Sequence, residues 1–173
     1  MIWRTLLLAI GLALPLAASA ENQFRIGGEF TLAREADNVF GDSTAVQAQF
    51  VGEYVFNQTI GINIELGEYV NSSDDFDLDV RARLVQSFAT LYLPVNDDLR
   101  FYGGAGYYWM NDIDLCDADN CIDLDDFSSS DYALQGGIEF SDFDGWAFAV
   151  EYEGLRGKDD FENSIGFRFG YAF

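Results

Sequence analysis

The chain has no histidine, which removes the Ser-His and Cys-His pairs that activate most nucleophiles and a usual zinc ligand. Asp/Glu dyads can do acid–base work without it, but nothing singles out a pair, so no catalytic residue and no cofactor is expected. Basic residues are scarce too: nine Lys and Arg stand against 30 Asp and Glu. Phosphate backbones repel such a chain, and nucleic acid is not an expected partner. Two prolines, no Pro/Ser-rich linker and no internal shift of composition leave no sign of a second domain. Beyond the N-terminus there is no run of about 18 apolar residues, so a transmembrane helix is excluded.

What is present begins with a secretory leader. Met1-Ile2-Trp3-Arg4 supplies a basic start, Leu6 to Leu16 an apolar run too short to span a bilayer comfortably, and Ala18-Ser19-Ala20 the small residues of a cleavage site. Residues 1–20 therefore read as a signal peptide and 21–173 as one domain. Losing Arg4 leaves eight basic against 30 acidic residues, a mature charge of −22.

That domain alternates. In Ser164 to Phe173 the side chains of Ile165, Phe167, Phe169, Tyr171 and Phe173 fall on one face of a strand, and Ser164, Gly166, Arg168, Gly170 and Ala172 on the other. Nothing follows the last aromatic to cover the apolar face, and a lipid-facing strand needs no cover. Seven further segments repeat the pattern: Phe24–Leu32, Ala45–Phe56, Ile60–Tyr69, Leu78–Leu93, Leu99–Trp109, Tyr132–Phe140 and Trp146–Glu153. Most have about the 9 to 11 residues of a tilted membrane strand. The fourth is longer and irregular, with Gln86 on the parity of Val80, Ala82 and Leu84, and a bulge near Gln86 is expected to reset it.

Links at 57–59, 94–98 and 141–145 are short, whereas those at 33–44, 70–77, 110–131 and 154–163 tend to be longer and acidic. This alternation predicts an all-β, eight-stranded antiparallel up-and-down transmembrane barrel, integral to a bacterial outer membrane, with periplasmic termini. Tyr54, Phe56, Tyr92, Phe101, Phe140, Trp146 and Phe173 are expected in the periplasmic aromatic girdle, and Trp109, Tyr132 and Tyr152 in the outer one. A soluble lipocalin-like barrel would turn the crowded apolar parity inward, where eight strands leave room only for side chains or one small ligand.

The inward parity carries Arg25, Arg81, Arg83, Arg100 and Arg168 beside Glu29, Glu53, Glu65, Glu139, Glu151 and Glu153. Buried ions must be paired, so these are expected to form a charged plug; the alternative is an ion path through a narrow pore. In the third long loop, Cys116 and Cys121 enclose four residues of an exported chain and are expected to form a disulfide. Asp112, Asp114, Asp117, Asp119 and Asp123 around them form a weak candidate calcium site, although their spacing is not that of an EF-hand.

The Gly-rich Phe101-Tyr-Gly-Gly-Ala-Gly-Tyr107 strand precedes no helix and is not a nucleotide loop. It is similar to the fifth strand of the eight-stranded outer-membrane barrels that include the OmpA-type transmembrane domain, OmpX-like proteins and opacity proteins, and the aromatic strand ending at Phe173 resembles theirs. The resemblance covers the whole mature chain. It implies that Tyr171 and Phe173 belong to the signal read by the barrel assembly machinery, and that the protein sits as a monomer among outer-membrane lipid and lipopolysaccharide. A peptidoglycan-binding domain like that of OmpA is not expected beyond the barrel. Lipid A-modifying barrels share the strand number but resemble catalysts that use histidine. A non-enzymatic surface role is therefore expected, with acidic loops serving adhesion, envelope stability or divalent-cation bridging.

Overall fold

The computed structural model describes residues 22–38, 41–73, 78–117, 120–124, 128–141, 145–156 and 161–173. The expected signal peptide and Asp119 lie outside them. Among the described residues nine strands run in order: β1 (Gln23–Asn38), β2 (Gly41–Phe56), β3 (Ile60–Ser73), β4 (Leu78–Pro94), β5 (Leu99–Cys116), β6 (Cys121–Asp123), β7 (Ser129–Ser141), β8 (Trp146–Arg156) and β9 (Phe161–Ala172). Eight of them form a ring of antiparallel neighbours, in which β4 pairs with β5 and β1 with β9; β6 is a three-residue strand folded back on β5. The ring closes through Arg25 opposite Ala172 to Leu32 opposite Ile165. All eight segments read from the alternation are barrel strands.

The short connections share one end of the barrel, the turn end, with Gln23 and Ala172. There Asn57 and Gln58 both take left-handed φ, 47° and 58°, as a primed hairpin turn requires, and the Thr59 amide donates to the Phe56 carbonyl at 3.0 Å. At the opposite, loop end the strands outrun the expected segments. β5 has 18 residues and β1 has 16, more than a tilted strand needs to cross hydrocarbon, so the wall continues beyond the apolar band.

Parity sorts the faces. Phe30, Phe50, Ile62, Phe148, Phe167 and Phe169 are among the outward side chains, 43–59% exposed, while buried positions between them carry polar and charged side chains such as Glu29, Gln49, Asn63 and Arg168. Aromatic clusters rim this band. Trp146, Tyr171 and Phe173 stack in sequence at the turn end, with centroids 5.3 and 5.2 Å apart, and Tyr107 packs on Trp109 and Tyr132 at 4.9 and 5.7 Å toward the loops.

One strand departs from expectation. β4 pairs with β3 without interruption from Leu91 to Leu78, so there is no bulge at Gln86, and Ala82, Leu84, Gln86, Phe88, Thr90 and Tyr92 all face inward. The irregularity lies on β5, where the register with β4 slips between Arg81 and Arg83 and Asp112 takes φ 51°. Arg81 and Arg83 are consequently outward, not in the lumen, with side chains 57% and 75% exposed. Tyr92, expected in the girdle, is wholly buried inside. The error has a physical source: Leu84 looked like a lipid-facing residue, but it fills an apolar cap within the barrel.

Candidate functional site: the filled lumen

The interior is stacked in three tiers. At the turn end, Arg25 from β1 and Arg100 from β5 converge on Glu139 of β7. Arg25 Nη1 reaches both Glu139 oxygens at 3.1 and 3.2 Å and Glu53 at 3.5 Å; Arg100 donates through Nε at 2.9 Å and through Nη2 as well. The Tyr92 hydroxyl donates to Glu53, and its ring lies 4.2 Å from the Arg100 guanidinium carbon. Two cations thus meet two anions, within contact of a buried ring that strengthens their attraction by excluding water. A cavity of ≈ 20 Å³, about the space one water needs, adjoins Arg25, Glu53, Glu139 and Arg168.

The middle tier turns on Arg168 of β9. Its guanidinium lies 2.8 Å from Glu29, 2.7 Å from Glu65 and 3.0 Å from Glu151, and it also donates to the Gln135 carbonyl at 3.1 Å. Neutral donors share the load. Tyr102 donates to Glu151 at 2.5 Å, Asn63 to Glu65 at 3.0 Å, and Gln86 to Glu153, while Gln86 in turn accepts from Gln49 at 2.8 Å. Small residues make room for these long arms. A Cβ at Gly137 would sit 2.8 Å from the Tyr102 hydroxyl, and one at Gly106 2.7 Å from the Phe88 ring.

The third tier, at the loop end, is apolar. Ala45, Tyr69, Ala82, Leu84, Phe88, Tyr108, Ala133 and Leu155 form one buried cluster across the barrel. Burial of side chains such as Leu84 and Phe88 contributes about 1.5–3 kcal/mol each. This cap closes over the charges and keeps the tiers below it at low dielectric.

Of the eleven residues expected in a lumen network, Arg25, Glu29, Glu53, Glu65, Arg100, Glu139, Glu151, Glu153 and Arg168 are buried together. Arg81 and Arg83 instead pair at the loop end with Asp79 at 3.4 Å and Asp112 at 2.8 Å. Their removal upsets the expected near-balance: among the described residues, three buried arginines face six buried glutamates. The network expected from the sequence also lacks Tyr92, Tyr102, Gln86, Gln135 and Asn63, although Asn63 falls on the same inward parity as Glu65. Gln86, Thr90 and Tyr92 share a parity in β4, and three polar residues in phase were a signal for an inward face.

Cys116 and Cys121 form a disulfide where β5 meets β6. Near it Asp112 is held by Arg83, Asp117 accepts from the Asn120 amide at 2.7 Å, Asp114 lies opposite Asp123 in register, and among the described residues, which do not include Asp119, no three loop carboxylates cluster. Tyr171 and Phe173 lie outward at the turn end, and the Phe173 amide donates to the Phe24 carbonyl at 2.9 Å, extending the closing seam to the last residue.

Solved structures share this architecture. The attachment invasion locus protein Ail of Yersinia pestis, in a complex with the heparin analogue sucrose octasulfate, superimposes with a TM-score of 0.62 over 88% of this chain and 99% of its own, at 15% identity. The N-terminal β-barrel domain of Pseudomonas aeruginosa OprF gives 0.63 over 88% and 98%, at 16% identity. Neisserial surface protein A gives 0.62 over 86% and 94%, at 11% identity. At such identities the likeness shows the fold. No curated protein sequence matches the chain significantly. The family model for the outer membrane protein beta-barrel domain matches residues 5–173, and the chain belongs to that family as an eight-stranded barrel integral to the outer membrane.

Proposed function

We propose that this is a non-enzymatic, non-conducting surface barrel, oriented with its turn end and termini in the periplasm, whose acidic loops make contacts outside the cell in adhesion or envelope stability. The observation that carries this reading is the filled lumen, with two charged tiers beneath an apolar cap. An ion would have to displace paired side chains and then cross the cap. The experiment is to record from the purified mature barrel in planar bilayers. No steady open-channel current is expected, and steady currents would overturn the reading in favour of a narrow pore.

Charge narrows the kind of contact. Ail is seen with a polyanion, but the loop 110–131 here carries Asp112, Asp114, Asp117, Asp119, Asp123, Asp125, Asp126 and Asp131, which repel one. Such loops suit basic surfaces, or lipopolysaccharide phosphates bridged by divalent cations. Assembly is read from the other end, with Tyr171 and Phe173 as part of the signal for the barrel assembly machinery. Deleting Phe173 removes an outward aromatic and the last hydrogen bond of the β1–β9 seam. Outer-membrane levels of the shortened protein are expected to fall, and immunoblots of membrane fractions at parental level would refute the assignment.

A further inference from the structure

The unequal charge of the lumen is confined to one tier. Arg25 and Arg100 balance Glu53 and Glu139 at the turn end, so the whole deficit falls around Arg168, a single cation facing Glu29, Glu65, Glu151 and Glu153. Three formal negative charges are left without a protein counter-charge in a closed interior. Buried charges of this kind must be compensated.

Geometry shows where. One carboxylate oxygen from each of Glu29, Glu151 and Glu153 lies within 4.8 Å of the other two. Arg168 and Tyr102 engage Glu151, but Glu29 Oε1 and Glu153 Oε2 have no hydrogen-bond partner, although these residues are only 3% and 0% exposed. An oxygen without a donor in a dry interior is expensive, and two such oxygens belong to the cluster that carries the excess charge.

We propose that Glu29, Glu151 and Glu153 bind one hard divalent cation, of the calcium or magnesium class, inside the barrel. Calcium–oxygen distances of about 2.3–2.6 Å hold the ligand oxygens of one ion at most roughly 5 Å apart, a limit that the three carboxylates meet; magnesium, at about 2.0–2.1 Å, sets a tighter limit of roughly 4 Å. The donors are carboxylates with the Gln86 and Gln135 amides nearby and no thiolate or imidazole, which disfavours zinc and copper. One divalent ion reduces the deficit of the tier to a single charge, which the donors Asn63, Tyr102 and Gln86 then share. Enclosed between the apolar cap and the Arg25–Glu139 tier, such an ion exchanges slowly. The loop acids lack that enclosure.

The test uses the mature barrel extracted from outer membranes in detergent, washed with EDTA to strip surface ions, desalted and assayed for metals by mass spectrometry. Roughly one calcium or magnesium per folded chain is expected to survive the wash, the stoichiometry of one carboxylate cage. Glu153→Gln and Glu29→Gln should bring retention to background, whereas Asp114→Asn with Asp123→Asn in the loop should leave it unchanged. Circular dichroism checks that each variant is folded. A second measurement does not depend on the variants: the parent, unfolded and refolded in micelles with CaCl2 or with EDTA, should show a higher urea midpoint with calcium. A metal-free folded parent, retention unaffected by the glutamate substitutions, or identical midpoints would overturn the proposal, with protons alone then meeting the deficit.

Discussion

Barrels carrying Arg168→Ala are expected to lose about 3–5 kcal/mol of stability, the usual cost of stripping a buried ion pair of one partner. Arg168 contacts Glu29, Glu65 and Glu151 at 2.8, 2.7 and 3.0 Å. Its loss leaves acids from three strands facing one another below the apolar cap. Arg168→Lys keeps the charge but cannot reach three carboxylates with one planar fork, so an intermediate loss is expected. Arg83→Ala is the contrasting control. Its pair with Asp112 is 2.8 Å long but its side chain is 75% exposed, and an exposed pair of this kind contributes about 0.2–1 kcal/mol. Urea titration of the three variants in detergent micelles makes the comparison, and equal midpoints for Arg168→Ala and Arg83→Ala would show that the middle tier is not a buried network.

The contrast between those arginines also shows how much was legible in the sequence. Period-two alternation was enough for the ring of eight strands, because each strand has one face in lipid and one in the lumen and a one-residue slip would exchange them. Arg25, Arg100 and Arg168 could be placed because they alternate with large apolar residues. β4 could not be read this way. Near the loop end its inward side chains are Ala82 and Leu84 and its outward ones are Arg81 and Arg83 above the apolar band, so its hydrophobic parity there is the reverse of a lipid-facing strand's. A reading that equates apolar with lipid-facing fails wherever a barrel builds a small core of its own. The bulge at Asp112 was hidden for a related reason, since a left-handed Asp in an acidic loop segment leaves no mark on the pattern. The tier of four glutamates around one arginine became visible only once Arg81 and Arg83 had been moved outside.

Phe167→Arg is expected to cost about 2–4 kcal/mol, the penalty for a cation on the lipid face near the bilayer midplane. Its depth follows from the register. Phe167 lies opposite Phe30 on one side and Val150 on the other. On β9 the rung of Trp146 and Tyr171 lies toward the turn end and that of Tyr152 and Ile165 toward the loop end, so Phe167 falls between two aromatic rungs. Its ring is 59% exposed on the protein's own surface, and hydrocarbon is what meets that area in the membrane. An arginine there can neither pair with a neighbour on the outward face, which is apolar, nor reach Glu29 through the wall. At Tyr171, beside Trp146 in the girdle, the same substitution places the guanidinium within reach of headgroups, and the cost should drop to about 0–1 kcal/mol. Refolding titrations into lipid vesicles measure both. A penalty at Tyr171 equal to or larger than that at Phe167 would mean that the apolar band is centred elsewhere, and no penalty at either position would mean that this face does not meet lipid.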